Sequence, residues 1–256
     1  MLEQVKQQQN AYEEIYAPEQ KSEFDFHITP DPLTRYLRDR RLLKSLEVLK
    51  DFDADYKNWS VLLTCGGVGG EGIFFKKNGF ADVTVSDISE NSLKICNEFD
   101  PTIKTIMLNG ESLDIDDNSY DLVVVQDGLH HLPRPVSGFT EMLRVARKAV
   151  IVIEPYDSLI GNLIGTEWEV QGDAINYVFR WDKKTFTQVV KSYLLKDYAP
   201  IKVLRFWDHG LAVSKLASKF PKSMQLSVAK LIYTLFSPFN FMGNMFVGIK
   251  IMKPGE

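Results

Sequence analysis

Three groups of residues carry types and spacings that could do chemistry. The first is the run Val61-Leu62-Leu63-Thr64-Cys65-Gly66-Gly67-Val68-Gly69-Gly70-Glu71-Gly72, a short apolar stretch that turns into a glycine cluster. Glycines let the backbone turn tightly and approach a ligand where a Cβ would collide. A helix starting behind them presents unpaired N–H groups to polar or anionic atoms. The second group is Asp87, which ends the next apolar run, Val83-Thr84-Val85-Ser86. An acid about 20 residues past such a loop can accept both ribose hydroxyls of a nucleoside. The third is the pair His130-His131, a side-chain type suited to proton transfer near neutral pH.

These groups need elements to hold them. Asp31-Pro32 reads as a helix start, and Leu33, Leu37, Leu42, Leu46 and Leu49 keep helical spacing to Lys50. Arg35, Arg38, Arg40, Arg41 and Lys44 read as that helix's solvated face. A helix is expected from Gly70 to Asn78, and Ser89 reads as the cap of a helix over Glu90–Glu98. Strands are expected at Thr105–Leu108, Leu122–Gln126 and Ala149–Glu154, with a helix from Pro133 to Lys148. Near-continuous apolar strands alternating with helices imply an α/β fold with a parallel sheet covered on both faces.

Beyond Pro155 the alternation breaks. Tyr156–Arg180 reads as a long irregular segment, followed by a helix (Lys183–Leu195), a strand (Ile201–Phe206), an insertion (Asp208–Gly243) and a last strand (Met245–Met252). Insertions after strands 5 and 6 rise on the side where such sheets bind ligands, and so suggest a substrate cover. The polar N-terminal stretch, with Tyr12, Tyr16, Phe24 and Phe26, reads either as a loosely packed helix and loop or as a lid carrying an aromatic ring. No repeat or linker is visible, so residues 1–256 read as one domain. Its parts are an N-terminal segment over 1–50, a core over 59–155, and cover insertions at 156–181 and 208–243.

Composition narrows the function class. A net charge of −4 offers no footprint for nucleic acid. Cys65 and Cys96 form no CxxC and no metal-like spacing, so no metal is expected and a reducing, cytoplasmic location is. The polar start lacks the apolar core of a leader peptide, and no apolar run approaches the ~20 residues of a membrane span. The stretch Leu231–Phe236 suits either core packing or peripheral contact with a membrane surface, and packing is the preferred reading.

One block narrows the reading further: Asn109-Gly110-Glu111, then Asn118-Ser119-Tyr120-Asp121-Leu122-Val123-Val124, then Leu129-His130-His131-Leu132. With the glycine loop and Asp87, it resembles the class I S-adenosylmethionine (SAM) dependent methyltransferases of the type-11 or UbiE-like kind. The resemblance covers about Trp59 to Pro155. It implies a Rossmann-like, seven-stranded, mostly parallel sheet, SAM as cofactor with S-adenosylhomocysteine as product, and methyl transfer to a small-molecule acceptor.

By the same resemblance, backbone at Cys65, Gly66, Gly67 and Gly69 would pass under the methionine tail. Asp87 would hold the ribose diol, Ile88 would pack on the adenine, and Asn109, Gly110 and Glu111 would lie at its edge. Gln126 would reach the amino-acid end. His130 or His131 would serve as base for a hydroxyl acceptor, with helix capping as the competing reading for both. The chain departs from the family's pattern at Leu63, where relatives carry an acid, and at Cys65, where they carry glycine. Three alternatives stay open: an NAD-dependent oxidoreductase, since Gly67–Gly72 also fits G-x-G-x-x-G, a catalytically silent SAM-binding scaffold, and a peripheral membrane or interaction module.

Overall fold

The computed structural model describes residues 3–17, 27–193 and 201–252. Phe24, Phe26 and the expected end of a helix at Leu195 lie outside them. Seven strands form the main sheet: β1 (Val61–Leu63), β2 (Val83–Asp87), β3 (Lys104–Met107), β4 (Tyr120–Gln126), β5 (Ala146–Pro155), β8 (Ile201–Phe206) and β9 (Met245–Ile251). Their order is β3-β2-β1-β4-β5-β9-β8. The first five run parallel, and β9 is antiparallel to both β5 and β8.

Strand alternation builds two cores. Leu62, Val123, Val125, Val150 and Val152 face one layer, while Val61, Leu63, Val124, Ile151 and Ile153 face the other. The first layer holds α5 (Pro135–Val145) and α7 (Lys183–Tyr193), through Phe139, Met142, Phe186 and Val190. The second holds α2 (Pro32–Phe52), α3 (Gly70–Lys77) and α4 (Glu90–Phe99), through Leu42, Leu49, Phe74, Phe75 and Leu93. Caps set the starts of two of these. Asp31 accepts from the Thr34 N–H at 3.0 Å, and the Ser89 hydroxyl accepts from the Ser92 N–H at 3.2 Å.

Some expectations are corrected. The helix expected from Pro133 to Lys148 spans Pro135–Val145, because β5 already pairs with β4 from Ala146. The segment 156–180 is not irregular. It holds a short helix, α6 (Leu159–Ile164), and a hairpin of β6 (Trp168–Gln171) and β7 (Ala174–Tyr177). The hairpin turns at Gly172-Asp173, with Gly172 at φ 57°.

The arginine face of α2 is not solvated either. Arg40 and Arg41 are buried, and Arg41 pairs with Asp127 at 2.5 Å and with Asp208 at 2.9 Å. They are covered because α8 (Gly210–Ala217) and α9 (Lys222–Phe236) pack on α2 around Leu33, Leu37, Val213, Ala229 and Tyr233. No helix of the described residues is long and apolar enough to cross a membrane.

Candidate functional site

Parallel sheets offer a crevice where strand order reverses, at the carboxyl ends of the strands on either side. Here that place lies between β1 and β4, and it holds a cavity of about 300 Å³. Cys65, Gly66 and Gly67 line its floor, Asp87 and Ile88 one wall, and Gly110, Gln126 and His131 the opposite side. The glycine loop needs left-handed backbone, with φ 51° at Gly67 and 84° at Gly69. A Cβ on Gly69 would collide with Cys96 Sγ, so that glycine serves the packing of α3 and does not line the cavity. Cys65 adopts φ 52° without being glycine, which costs roughly 1–2 kcal/mol. Burial pushes its thiol well up, so it is no nucleophile.

Asp87 is buried and accepts from the Gly67 N–H at 2.8 Å and the Ser89 N–H at 3.0 Å. Burial raises its carboxyl above the ordinary carboxylate value, against the pull of those amide bonds. Gln126 donates to Glu71 at 2.9 Å, and Arg38 reaches the same Glu71 oxygen at 3.2 Å. The Gln126 Oε1 is buried with no hydrogen-bond partner among the described residues. Leu63, where an acid was absent from the pattern, is packed in the core. The carboxylate at this end of the cavity comes instead from Glu71, in the first turn of α3.

Two expected residues are elsewhere. Asn109 is not in the lining, and its Oδ1 accepts from the Glu111 N–H at 3.0 Å in a local turn. Glu111 is buried away from the cavity and held by the Arg134 guanidinium at 2.8 Å and by the Arg134 N–H. That ion pair fixes the approach to α5, so neither side chain faces a ligand in the cavity.

The histidines divide. His130 is outside the lining, and its Nδ1 lies 2.5 Å from Oε2 of the fully buried Glu154. The other Glu154 oxygen accepts the Gly128 and Leu129 N–H groups, at 2.9 and 2.7 Å. Burial works to lower His130, but the Glu154 charge and hydrogen bond overcome it and hold the imidazolium up to about 9. His131 lines the cavity and is pushed down to about 3, first by burial and then by the charge on His130. Glu169, on β6, approaches His131 Nδ1 at 3.3 Å and His130 Nε2 at 3.8 Å. Ligand atoms of these three residues lie within 4.8 Å of one another, a grouping that no sequence spacing announced. The imidazolium at His130 opposes a cation there.

These shifts give stability an expected pH dependence. The contribution of His130 is full below pH 6.5 and is lost as pH rises through about 9. That of His131 is full above pH 6.5 and is lost as pH falls toward 3. Thermal unfolding across pH should therefore show an alkaline decline that His130→Asn flattens. Equal declines in both proteins would exclude the ionised pair.

The roof is α1 (Glu3–Ile15) with Tyr16 behind it. Gln8, Tyr12, Ile15 and Tyr16 line the cavity, with the two tyrosine rings stacked 6.1 Å apart and Tyr12 edge-on to His131. Glu13 clamps this helix down. Its carboxylate accepts from the Ser89 hydroxyl at 2.9 Å and from the Glu90 and Asn91 N–H groups at 2.7 and 3.0 Å. The α4 N-terminus is thereby capped from 76 to 78 residues away.

The lid reading thus fits the placement of Tyr12 and Tyr16. The aromatic residues Trp168, Tyr177, Trp181 and Trp207, in or beside the cover segments, do not line the cavity: Trp181 is core, Trp168 and Tyr177 pair across the hairpin, and Trp207 lines a different groove. The hairpin contributes Gln171, and no described residue of 208–243 lines the cavity. Tyr156, Asp157 and His209, which also carry proton-transfer groups past the strand ends, are not in the lining either.

Residues 63–153 match the family described as a methyltransferase domain, from the end of β1 through β5. The chain carries a class I SAM-dependent methyltransferase domain. Its cofactor is SAM. The methyltransferase resembles solved structures along most of its length. One is a SAM-dependent methyltransferase from Thermotoga maritima, titled a possible histamine N-methyltransferase, with 14% identity and TM-score 0.59, covering 96% of this chain and 100% of that one. Another is a phosphoethanolamine N-methyltransferase from Haemonchus contortus in complex with S-adenosylhomocysteine, with 13% identity and TM-score 0.60, covering 97% and 61%. A third is titled a putative sarcosine dimethylglycine methyltransferase, from Galdieria sulphuraria, with 15% identity and TM-score 0.55, covering 84% and 85%. At such identities the likeness speaks for the methyltransferase fold alone. Among curated proteins none matches.

Proposed function

We propose that the protein transfers the methyl group of SAM to a hydroxyl of a small-molecule acceptor, with His131 as general base. The observation that carries this reading is one cavity lined by Asp87, Gln126 and an uncharged histidine. SAM, when bound, supplies an activated methyl on a sulfonium. Asp87 would exchange the Gly67 amide for the ribose hydroxyls, with Ile88 and Gly110 beside the base. Gln126, Glu71 and Arg38 would meet the amino and carboxylate groups of the tail.

Tyr12 and Tyr16 exclude water from above, which lets the remaining groups position the acceptor in line. With His131 Nδ1 turned toward Glu169, its Nε2 is left to take the acceptor's proton. Glu169 acts as a positioning residue. The reading treats the chain as one domain in which α1 and the β6–β7 hairpin make the cover.

A silent SAM-binding protein is the second reading, favoured by the packing of Leu63 into the core where relatives carry an acid. Calorimetric titration with SAM, S-adenosylhomocysteine and NAD separates the classes. Heat from the first two with none from NAD supports the cofactor site, and heat from NAD alone would refute it. Labelled methyl transfer into a cell extract then separates enzyme from scaffold. Asp87→Ala is expected to weaken SAM binding at least tenfold, a loss of about 1.4 kcal/mol. Unchanged affinity would remove Asp87 from the site.

A further inference from the structure

The segment from α8 through the 3-10 turn Ser237–Met242 holds an unusual surface. Core packing explains only part of it, because Tyr233 is buried but Leu231, Leu235 and Phe236 are more than half exposed. Leu211 is 84% exposed, Phe239 51% and Phe241 66%. On α9 the exposed Met224, Leu231 and Leu235 fall at spacings of seven and four, a stripe turned away from the buried Ala229 and Tyr233. Between α8 and α9 lies an apolar groove of about 280 Å³, lined by Ala212, Val213, Leu216, Ile232, Tyr233 and Phe236. Exposed apolar surface of this extent calls for a partner.

Charge says which partner. No acidic residue occurs between Asp208 and Glu256, while the whole chain carries −4. Lys215, Lys219, Lys222 and Lys230 of this segment are all exposed, Lys215 on α8, Lys219 just after it, and Lys222 and Lys230 on the flank of α9 toward α2. Two copies meeting through this face would oppose lysine to lysine. An anionic bilayer instead satisfies both features, with leucines and phenylalanines entering the headgroup boundary and lysines meeting the lipid phosphates. We infer that residues 210–242 form a docking surface for an anionic membrane. Because this surface is separate from the SAM cavity, the inference stands or falls apart from the acceptor assignment.

The test is flotation of the whole protein with phosphatidylcholine vesicles, with and without phosphatidylglycerol. Binding is expected only with the anionic lipid, and should decline as salt rises. The double variant Leu211→Ser, Leu235→Ser and the triple variant Lys215→Gln, Lys219→Gln, Lys222→Gln should each lower partitioning at least tenfold. Both should keep SAM binding by calorimetry, which separates a lost surface from a lost fold. No flotation, flotation indifferent to both variants, or a sedimentation dimer that the double variant dissociates would each overturn the inference.

Discussion

Replacing His131 by Asn is expected to lower methyl transfer by roughly 10²–10⁴-fold, the range for a lost general base, while leaving SAM affinity nearly unchanged. Burial and the neighbouring imidazolium keep His131 uncharged at neutral pH, so its ring can accept a proton without first losing one. His130 is a poor base by the same logic, because Glu154 holds it protonated up to about 9. His130→Asn should therefore act mainly on stability. The measurement is single-turnover transfer of labelled methyl from SAM into acceptors of a cell extract, with calorimetric SAM binding beside it. His131→Gly rescued by added imidazole would place the ring at the acceptor. Transfer by His131→Asn within tenfold of the parent would mean that the acceptor needs no base.

The second large effect falls on Glu154. It is fully buried at the end of β5, and its two oxygens serve His130 and the Gly128 and Leu129 N–H groups. Glu154→Leu removes all three bonds and strands a buried imidazole and two amides, at a cost of about 3–5 kcal/mol. For a chain of this size that is a fall of about 10 °C or more in Tm. Glu154→Gln keeps an acceptor oxygen and should lose distinctly less. Chemical denaturation of the three proteins decides it. Equal stability of Leu and Gln variants would mean that the hydrogen bonds contribute nothing beyond the charge.

The β1–α3–β2–α4 unit was legible in the sequence because its signals are local. The glycine cluster, the spacing to Asp87 and the caps at Asp31 and Ser89 each act within a few residues, and the structure has β1, α3, β2 and α4 where they point. What escaped depends on partners distant in sequence. Arg40 and Arg41 look like a solvated face until α8 and α9 are laid over them, with Asp208 arriving from 167 or more residues away. Glu111 matched a familiar pattern, but Arg134 takes its carboxylate. Glu169 had no mark at all, sitting in a stretch that read as irregular. The hairpin that carries it could have been read, since Gly172-Asp173 between alternating residues is a turn signal.

Glu13 lies in the last turn of a helix far from α4 in the chain, and that arrangement ties the roof of the cavity to the start of α4. When α1 lifts, the Ser89 hydroxyl and the Glu90 and Asn91 amides lose their acceptor together, and water must replace it. With SAM beneath α1, as proposed, an opening of that clasp would ease release of the spent cofactor. On that proposal, a residue that strengthens the clasp would lengthen the dwell time of both SAM and its product, so tighter retention and faster turnover would pull the same carboxylate in opposite directions.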